Sequence, residues 1–214
     1  MTRLLTGLPL LVLAACAQPA PEASPGPAQT RPAAEAPTSV PTPAATPALT
    51  AEGWGPLRIG MTRAEVERIV GPDAEPQAVG GPNPESCEQF RPERAPKGML
   101  LMVENGRLTR ISLIKDSVVT TDRSLALGSK AESVVAAYGN RLVMTPHKYQ
   151  DTPAQYLDVW EPKALTTSVD ARKASTLYID DPSARGIRYE VGEQGRVTMI
   201  HAGGPSIQYV EGCA

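Results

Sequence analysis

Two histidines, His147 in "TPHKYQ" and His201 in "MIHAGG", are the chain's whole supply of imidazole. Either could serve as a general base or a metal ligand only with partners, and neither has a second ligand at metal spacing. Both are therefore expected to be satisfied or surface side chains, with no metal site. The one arrangement that would make an enzyme is His201 brought near Asp180 or Asp181 and a serine. The sequence has no Gly-x-Ser-x-Gly elbow, no P-loop and no Gly-x-Gly-x-x-Gly after a strand. No catalytic residue and no cofactor are expected, and the chain reads as non-enzymatic. Asp180, Asp181 and Pro182 form a turn signal with an acidic tip, either a solvated connection or a loop that enters another protein's cleft. Trp54, Trp160, Tyr149, Tyr156 and Tyr178 could build an aromatic docking surface, although a chain with one Phe should draw most of them into its core.

The thiols carry more information. "MTRLLTGLPLLVLAAC" places one cation before an apolar run too short to span a bilayer, which fits a secretory signal over residues 1–15. Leu13-Ala14-Ala15-Cys16 resembles the lipobox of bacterial lipoproteins, in which the cysteine thiol is acylated and the preceding peptide bond is cut. That resemblance implies Cys16 as the lipidation site and attachment to a membrane through N-terminal acyl chains. By the resemblance to Gram-negative lipoproteins, Ala17 after the cysteine, rather than Asp, implies the periplasmic face of the outer membrane. The other reading is a secreted protein cut at the Ala-x-Ala-like site, with Cys16 a spare thiol. With Cys16 acylated, Cys87 and Cys213 are the two thiols left in an oxidising periplasm, and a disulfide between them is expected.

These groups must be positioned by the chain beyond Cys16. Residues 16–50 are a Pro/Ala-rich stretch with Val40 and Leu49 as its larger apolar side chains, and are expected to be a disordered linker. Removing Arg3, Arg31, Glu22 and Glu35 leaves 21 − 2 = 19 basic and 23 − 2 = 21 acidic residues in the remainder, still −2, a balance that excludes nucleic acid as a partner. "GMTRAEVERIVGP" (60–72) is a complete helix signal: Thr62 as N-cap with Glu65 closing a capping box, Met61 and Val66 as a staple, then Gly71 and Pro72 as the stop. "GSKAESVVAAYG" (128–139) repeats its spacing, with Ser129 expected as the cap and Val134, Ala137 and Tyr138 as the apolar stripe. "ENGRLTRIS" (104–112) likewise returns as "EQGRVTMIH" (193–201). The offset is 68 for the helices and 89 for the hairpins, so the second copy carries 21 extra residues.

Strands are expected in "CEQFR", "GMLLMVEN" and "GRLTRISLI" of the first copy, with a turn at Asn105-Gly106. The second copy should supply "AQYLDVWE", "ASTLYID", "GIRYEVG" and "GRVTMIHA". A helix this short is marginal alone and must cover a sheet. The expected class is α+β, in two tandem units at 51–118 and 119–214, each a short helix packed on an antiparallel β-sheet.

"LRIGMTRAEVERIVGPDAEP" resembles the opening motif of the SmpA/OmlA lipoproteins, where a Gly-Met-Thr turn starts a short helix followed by antiparallel strands. The tandem arrangement is similar to the β-lactamase inhibitor protein fold. The resemblance implies a non-enzymatic accessory role in envelope assembly or maintenance through contact with another envelope protein, or alternatively inhibition of a periplasmic or foreign hydrolase by a concave sheet surface.

Overall fold

The computed structural model describes residues 46–78, 83–161 and 178–213. Cys16, the signal segment and most of the expected linker lie outside these residues, as does most of the expected strand "ASTLYID". The linker's last residues are not free: Leu49 is fully buried in strand β1 (Leu49–Thr50), which opens a small antiparallel sheet with β2 (Gly53–Trp54) and β3 (Leu57–Arg58). Pro47 accepts the indole N–H of Trp54 at 2.9 Å. An apolar side chain at the end of a Pro/Ala tract is thus the first residue of the core, although composition alone places it in the linker.

Helix α1 (Arg63–Val70) follows the local signals closely. Thr62 Oγ1 accepts the Glu65 amide at 3.3 Å, and Glu65 accepts the Thr62 amide at 2.8 Å, so both halves of the capping box form. Gly71 ends the helix at φ 84°, ψ 171°, a glycine conformation with extended ψ instead of the expected left-handed one. Helix α2 (Ala131–Tyr138) departs from expectation at its start. Lys130 holds the cap position without a side-chain bond, because the Ser129 hydroxyl is already taken by the Ala126 amide at 3.0 Å. A 3-10 turn (Gly139–Arg141) follows.

The remaining strands are β4 (Cys87–Phe90), β5 (Met99–Glu104), β6 (Arg107–Leu113), β7 (Leu142–Pro146), β8 (Gln155–Trp160), β9 (Gly186–Val191) and β10 (Val197–Gly203). They form one seven-stranded antiparallel sheet in the order β4-β5-β6-β10-β9-β8-β7. Strands from both expected units lie in this one sheet, joined where β6 meets β10 with Ser112 opposite His201. The α+β class holds. Strand β7, "LVMTP", carries no strict alternation and is absent from the strands expected of the sequence. Asn105 and Gly106 turn β5 into β6 with φ 49° and 73°, the paired positive values a two-residue hairpin needs.

Both helices cover the same face. Val66 and Val70 of α1 and Val134 and Tyr138 of α2 join Leu101, Ile111, Leu157, Tyr189 and Ile200 in one apolar cluster. Within it the Tyr138 and Tyr189 hydroxyls meet at 2.8 Å, and Tyr189 donates to Thr121.

The ties from each helix start to its hairpin correspond. Gly60 N–H donates to Leu108 at 2.7 Å and Gly128 N–H to Val197 at 2.8 Å; Arg63 N–H donates to Gly106 and Ala131 N–H to Gly195, both at 3.0 Å. Arg107 reaches back to the Gly60 carbonyl as Arg196 does to that of Gly128.

The far face of the sheet is finished by the C-terminal residues. After β10 the chain makes a 3-10 turn (Pro205–Gln208) and runs on to Cys213, which is disulfide-bonded to Cys87 on the edge strand β4, 126 residues away with Cα atoms 5.6 Å apart. Among the described residues no helix is long and apolar enough to cross a membrane.

Candidate functional site

Strand alternation puts a polar set on the face away from the helices. Across the sheet in register lie Leu100 of β5, Ser112 of β6, His201 of β10, Arg188 of β9 and Asp158 of β8. Ser112, His201, Arg188 and Asp158 are all buried. Arg188 and Asp158 form a two-toothed ion pair, Nε to Oδ1 and Nη2 to Oδ2 both at 2.7 Å, with the guanidinium over the Tyr156 ring. The remaining Nη1 donates to the Gln208 carbonyl at 3.0 Å.

Glu190 of β9 receives two imidazoles. His147 Nε2 lies 3.0 Å from Glu190 Oε1, and the Tyr149 amide donates to His147 Nδ1 at 3.1 Å. Nδ1 therefore accepts, and Nε2 carries the proton to the carboxylate. His201 has Nδ1 2.8 Å from Ser112 Oγ and Nε2 3.8 Å from Glu190 Oε2. Burial, aided by the nearby charges of Arg110 and Arg188, pulls the His201 pKa down to about 4 against the opposing pull of Glu190. Burial alone would raise Glu190, but the two imidazoles outweigh it and hold its pKa below the usual value. At neutral pH His201 is uncharged and Glu190 is ionised.

The partners of His201 are thus Ser112 and Glu190, not Asp180 or Asp181. Serine, imidazole and carboxylate stand together, but the geometry is that of a buried network. Ser112 is 1% exposed in the middle of β6, with strands paired on both sides of it, so its neighbouring amides serve the sheet and none is free to receive an oxyanion. Asp181 accepts the Ser183 amide and hydroxyl, both at 2.8 Å, so that carboxylate shapes its own turn. Asp180 is exposed beside a cleft. Among the described residues no group of three or more His, Cys, Asp or Glu is placed to hold a metal ion.

The C-terminal segment lies over this face as a strap with two differently held parts. Its root, residues 205–208, is anchored by apolar packing: Ile207 is fully buried with Trp160, Ile179 and Ala184. The Gln208 amide adds bonds to both the N–H and the carbonyl of Ile179. Its tip, residues 209–213, has no such packing. Glu211 contacts Lys148 and the Tyr149 hydroxyl, the Cys213 amide donates to Gln89, and the disulfide closes the end.

Beneath root and tip lies Arg110, 3% exposed, whose Nη1 donates to the carbonyls of Ser206 and Tyr209, each at 3.0 Å. Its Nε has no partner. Burial lowers its pKa to about 10, still charged at neutral pH. A buried cation held by main-chain carbonyls is costly unless something repays it. Open clefts of about 480 and 510 Å³ flank the strap, and both include Glu104 and Tyr209.

The aromatic side chains divide. Trp160 and Tyr156 are buried, while Tyr149 and Tyr178 stand about 60% exposed beside the strap, together with Val210 on its tip. The site lacks a sequence signal for one reason: "GPSIQYVEGCA" has no periodicity, so nothing marks it as the cover of the polar strand positions.

No family model matches the chain, and no curated protein matches it. The crystal structure of an extracellular protein containing a SCP domain, from Bacillus anthracis str. Ames, is similar with a TM-score of 0.36 and 10% identity. The similarity covers 67% of this chain and 43% of that one, so this chain spans less than half of that protein's length.

Proposed function

We propose that this chain is a non-enzymatic, lipid-anchored module of the periplasm that binds another envelope protein, at the periplasmic face of the outer membrane, in assembly or maintenance. Cys16 carries the acyl chains, and two tandem units with an SmpA/OmlA-like opening form the binding body. The corresponding ties of Gly60 to Leu108 and Gly128 to Val197 support the tandem reading, with β6 and β10 as the seam between copies. The Cys87–Cys213 disulfide supports an oxidising compartment.

The observation that carries the binding role is the exposed trio of Tyr149, Tyr178 and Val210 around the strap. Large side chains of this kind, clustered against a fixed segment, provide the contact area on which protein interfaces concentrate their affinity. The soluble domain should therefore retain an envelope protein from detergent extracts. Tyr178→Ala should reduce that recovery by roughly tenfold or more. Equal recovery by Tyr149→Ala, Tyr178→Ala and the unaltered domain would refute the role of this surface.

A further inference from the structure

The strap's two parts differ in a way that serves no obvious need of folding. The root carries the apolar anchor Ile207 and the Gln208 bonds. The tip is held by exposed ionic contacts at Glu211, one amide bond at Gln89 and the disulfide. The tip spans a cleft of about 510 Å³ lined by Cys87, Glu104, Lys148 and its own residues, instead of filling it. Its polar groups meet specific partners: the Tyr209 carbonyl meets Arg110, the Tyr209 hydroxyl meets Glu104, and the Glu211 carboxylate meets Lys148. Arg110 is the group least satisfied by this arrangement, since a buried guanidinium receives two carbonyls, no carboxylate, and leaves Nε unpaired.

We propose that residues 209–213 are a disulfide-latched placeholder for an extended acidic segment of the partner protein, which takes the cleft over Arg110 and Lys148 once the Cys87–Cys213 bond is opened. The proposal rests on the reading of the strapped face as a protein-binding surface. It names the chemistry of the occupant: a main-chain carbonyl or a carboxylate for Arg110, a hydroxyl for Glu104, and a carboxylate for Lys148. It also names the control.

Cys87 is partly exposed on an edge strand and lines the cleft, whereas Cys213 is buried, so an external thiolate reaches the bond from the Cys87 side. A dithiol reductant attacks Sγ of Cys87 and forms a mixed disulfide while Cys213 leaves as a thiolate and takes up a proton. The second thiol of the reductant then displaces Cys87, which leaves as a thiolate and is protonated. The protein gains two thiols and the dithiol becomes a disulfide, so two electrons and two protons are transferred in all. The root stays docked through Ile207, and only the tip is exchanged.

Fluorescein-labelled peptide "YVEG", the sequence of residues 209–212, is the probe. Its affinity is measured by anisotropy for the oxidised full domain, the dithiothreitol-reduced domain, and Cys213→Ser/Glu211→Lys, whose own tip is unlatched and repelled by Lys148. Gly212→Ala loosens the tip with the bond intact: at φ 69° an alanine is strained, and its Cβ, 1.8 Å from Gln89 Oε1, would displace the amide that accepts the Cys213 N–H. It serves where loss of the bond costs the fold. Binding is expected in the opened forms and at least tenfold weaker in the oxidised domain, where the tethered tip competes at high effective concentration. A peptide with Lys in place of its Glu should bind the opened forms roughly threefold or more weakly, and Lys148→Glu in the reduced domain should restore it.

Equal affinity for the oxidised and opened forms, or indifference to the charge swap, overturns the proposal. So does absence of binding to an opened domain with native far-ultraviolet circular dichroism. If the oxidised domain retains an envelope protein through Tyr178 while no opened form binds the peptide, the latch fails and the binding role stands. Peptide binding with no envelope protein recovered shows the reverse.

Discussion

Replacing Cys213 by serine should destabilise the domain by about 3 kcal/mol. The bond joins residues 126 apart, for which loop-closure entropy gives roughly 5 kcal/mol at 25 °C. That figure is a ceiling, because the bond constrains the folded state as well as the unfolded one. Without it, residues 209–213 regain freedom in the folded domain while Ile207 and Gln208 keep the root in place, which returns part of the entropy to the native side. At about 2 to 4 °C per kcal/mol for a domain of this size, Tm should fall by about 6 to 12 °C. Urea unfolding at constant pH reads the effect directly, and Cys87→Ser and the reduced parent should give the same loss, since one bond is removed in each case. The m-value should rise as the unfolded chain expands. A loss below about 1 kcal/mol, or a difference above about 1 kcal/mol between the two serine variants, would show that something other than the bond holds the strap.

The buried ion pair should be costly to break from one side: Asp158→Asn leaves Arg188 charged and unpaired, and a loss of about 3 to 5 kcal/mol in urea unfolding is expected. A loss under about 1 kcal/mol would mean that water reaches Arg188. Stability should decline as pH falls from about 6.5 towards 4, because the unfolded state takes up a proton that His201, with a folded pKa of about 4, refuses. The full difference is about 3 kcal/mol, and Glu190 adds loss in the same direction as pH falls through its lowered folded pKa. His201→Gln should flatten the slope between pH 6.5 and 4.5, and an unchanged slope would count against a neutral buried imidazole. Thr62→Ala should cost about 1 kcal/mol by removing the hydroxyl that accepts the Glu65 amide, whereas Lys130→Thr should gain about 0.5 kcal/mol at a helix start with no side-chain cap. Thermal melts of the two variants should move in opposite directions.

The features legible in the sequence are those that neighbouring residues decide. The start and stop of α1 follow from Thr62, Glu65 and Gly71, all within one decapeptide, and the Asn105-Gly106 turn is as local. The start of α2 misleads because the Ser129 hydroxyl has a competing local partner in the Ala126 amide. Leu49 belongs to the linker by the composition around it, yet its amide bonds the Thr120 carbonyl, a contact no window of sequence contains. The cysteine pairing is readable by counting thiols. The polar face is not, because alternation at Arg110, Ser112, Arg188 and Glu190 marks a second face without saying whether water or protein covers it. The cover is aperiodic, and its contacts reach back as far as 126 residues, from Cys213 to Cys87.

The most direct test of the binding role is site-specific photo-crosslinking in intact cells, with the photoreactive side chain placed at Tyr178 or Tyr149 and, as a control on the exposed side of α2, at Val135. Crosslinks to an envelope protein from the two strap positions and none from Val135 are expected. Crosslinks of equal yield from all three positions, or from Val135 alone, would contradict the assignment of the strapped face as the working surface.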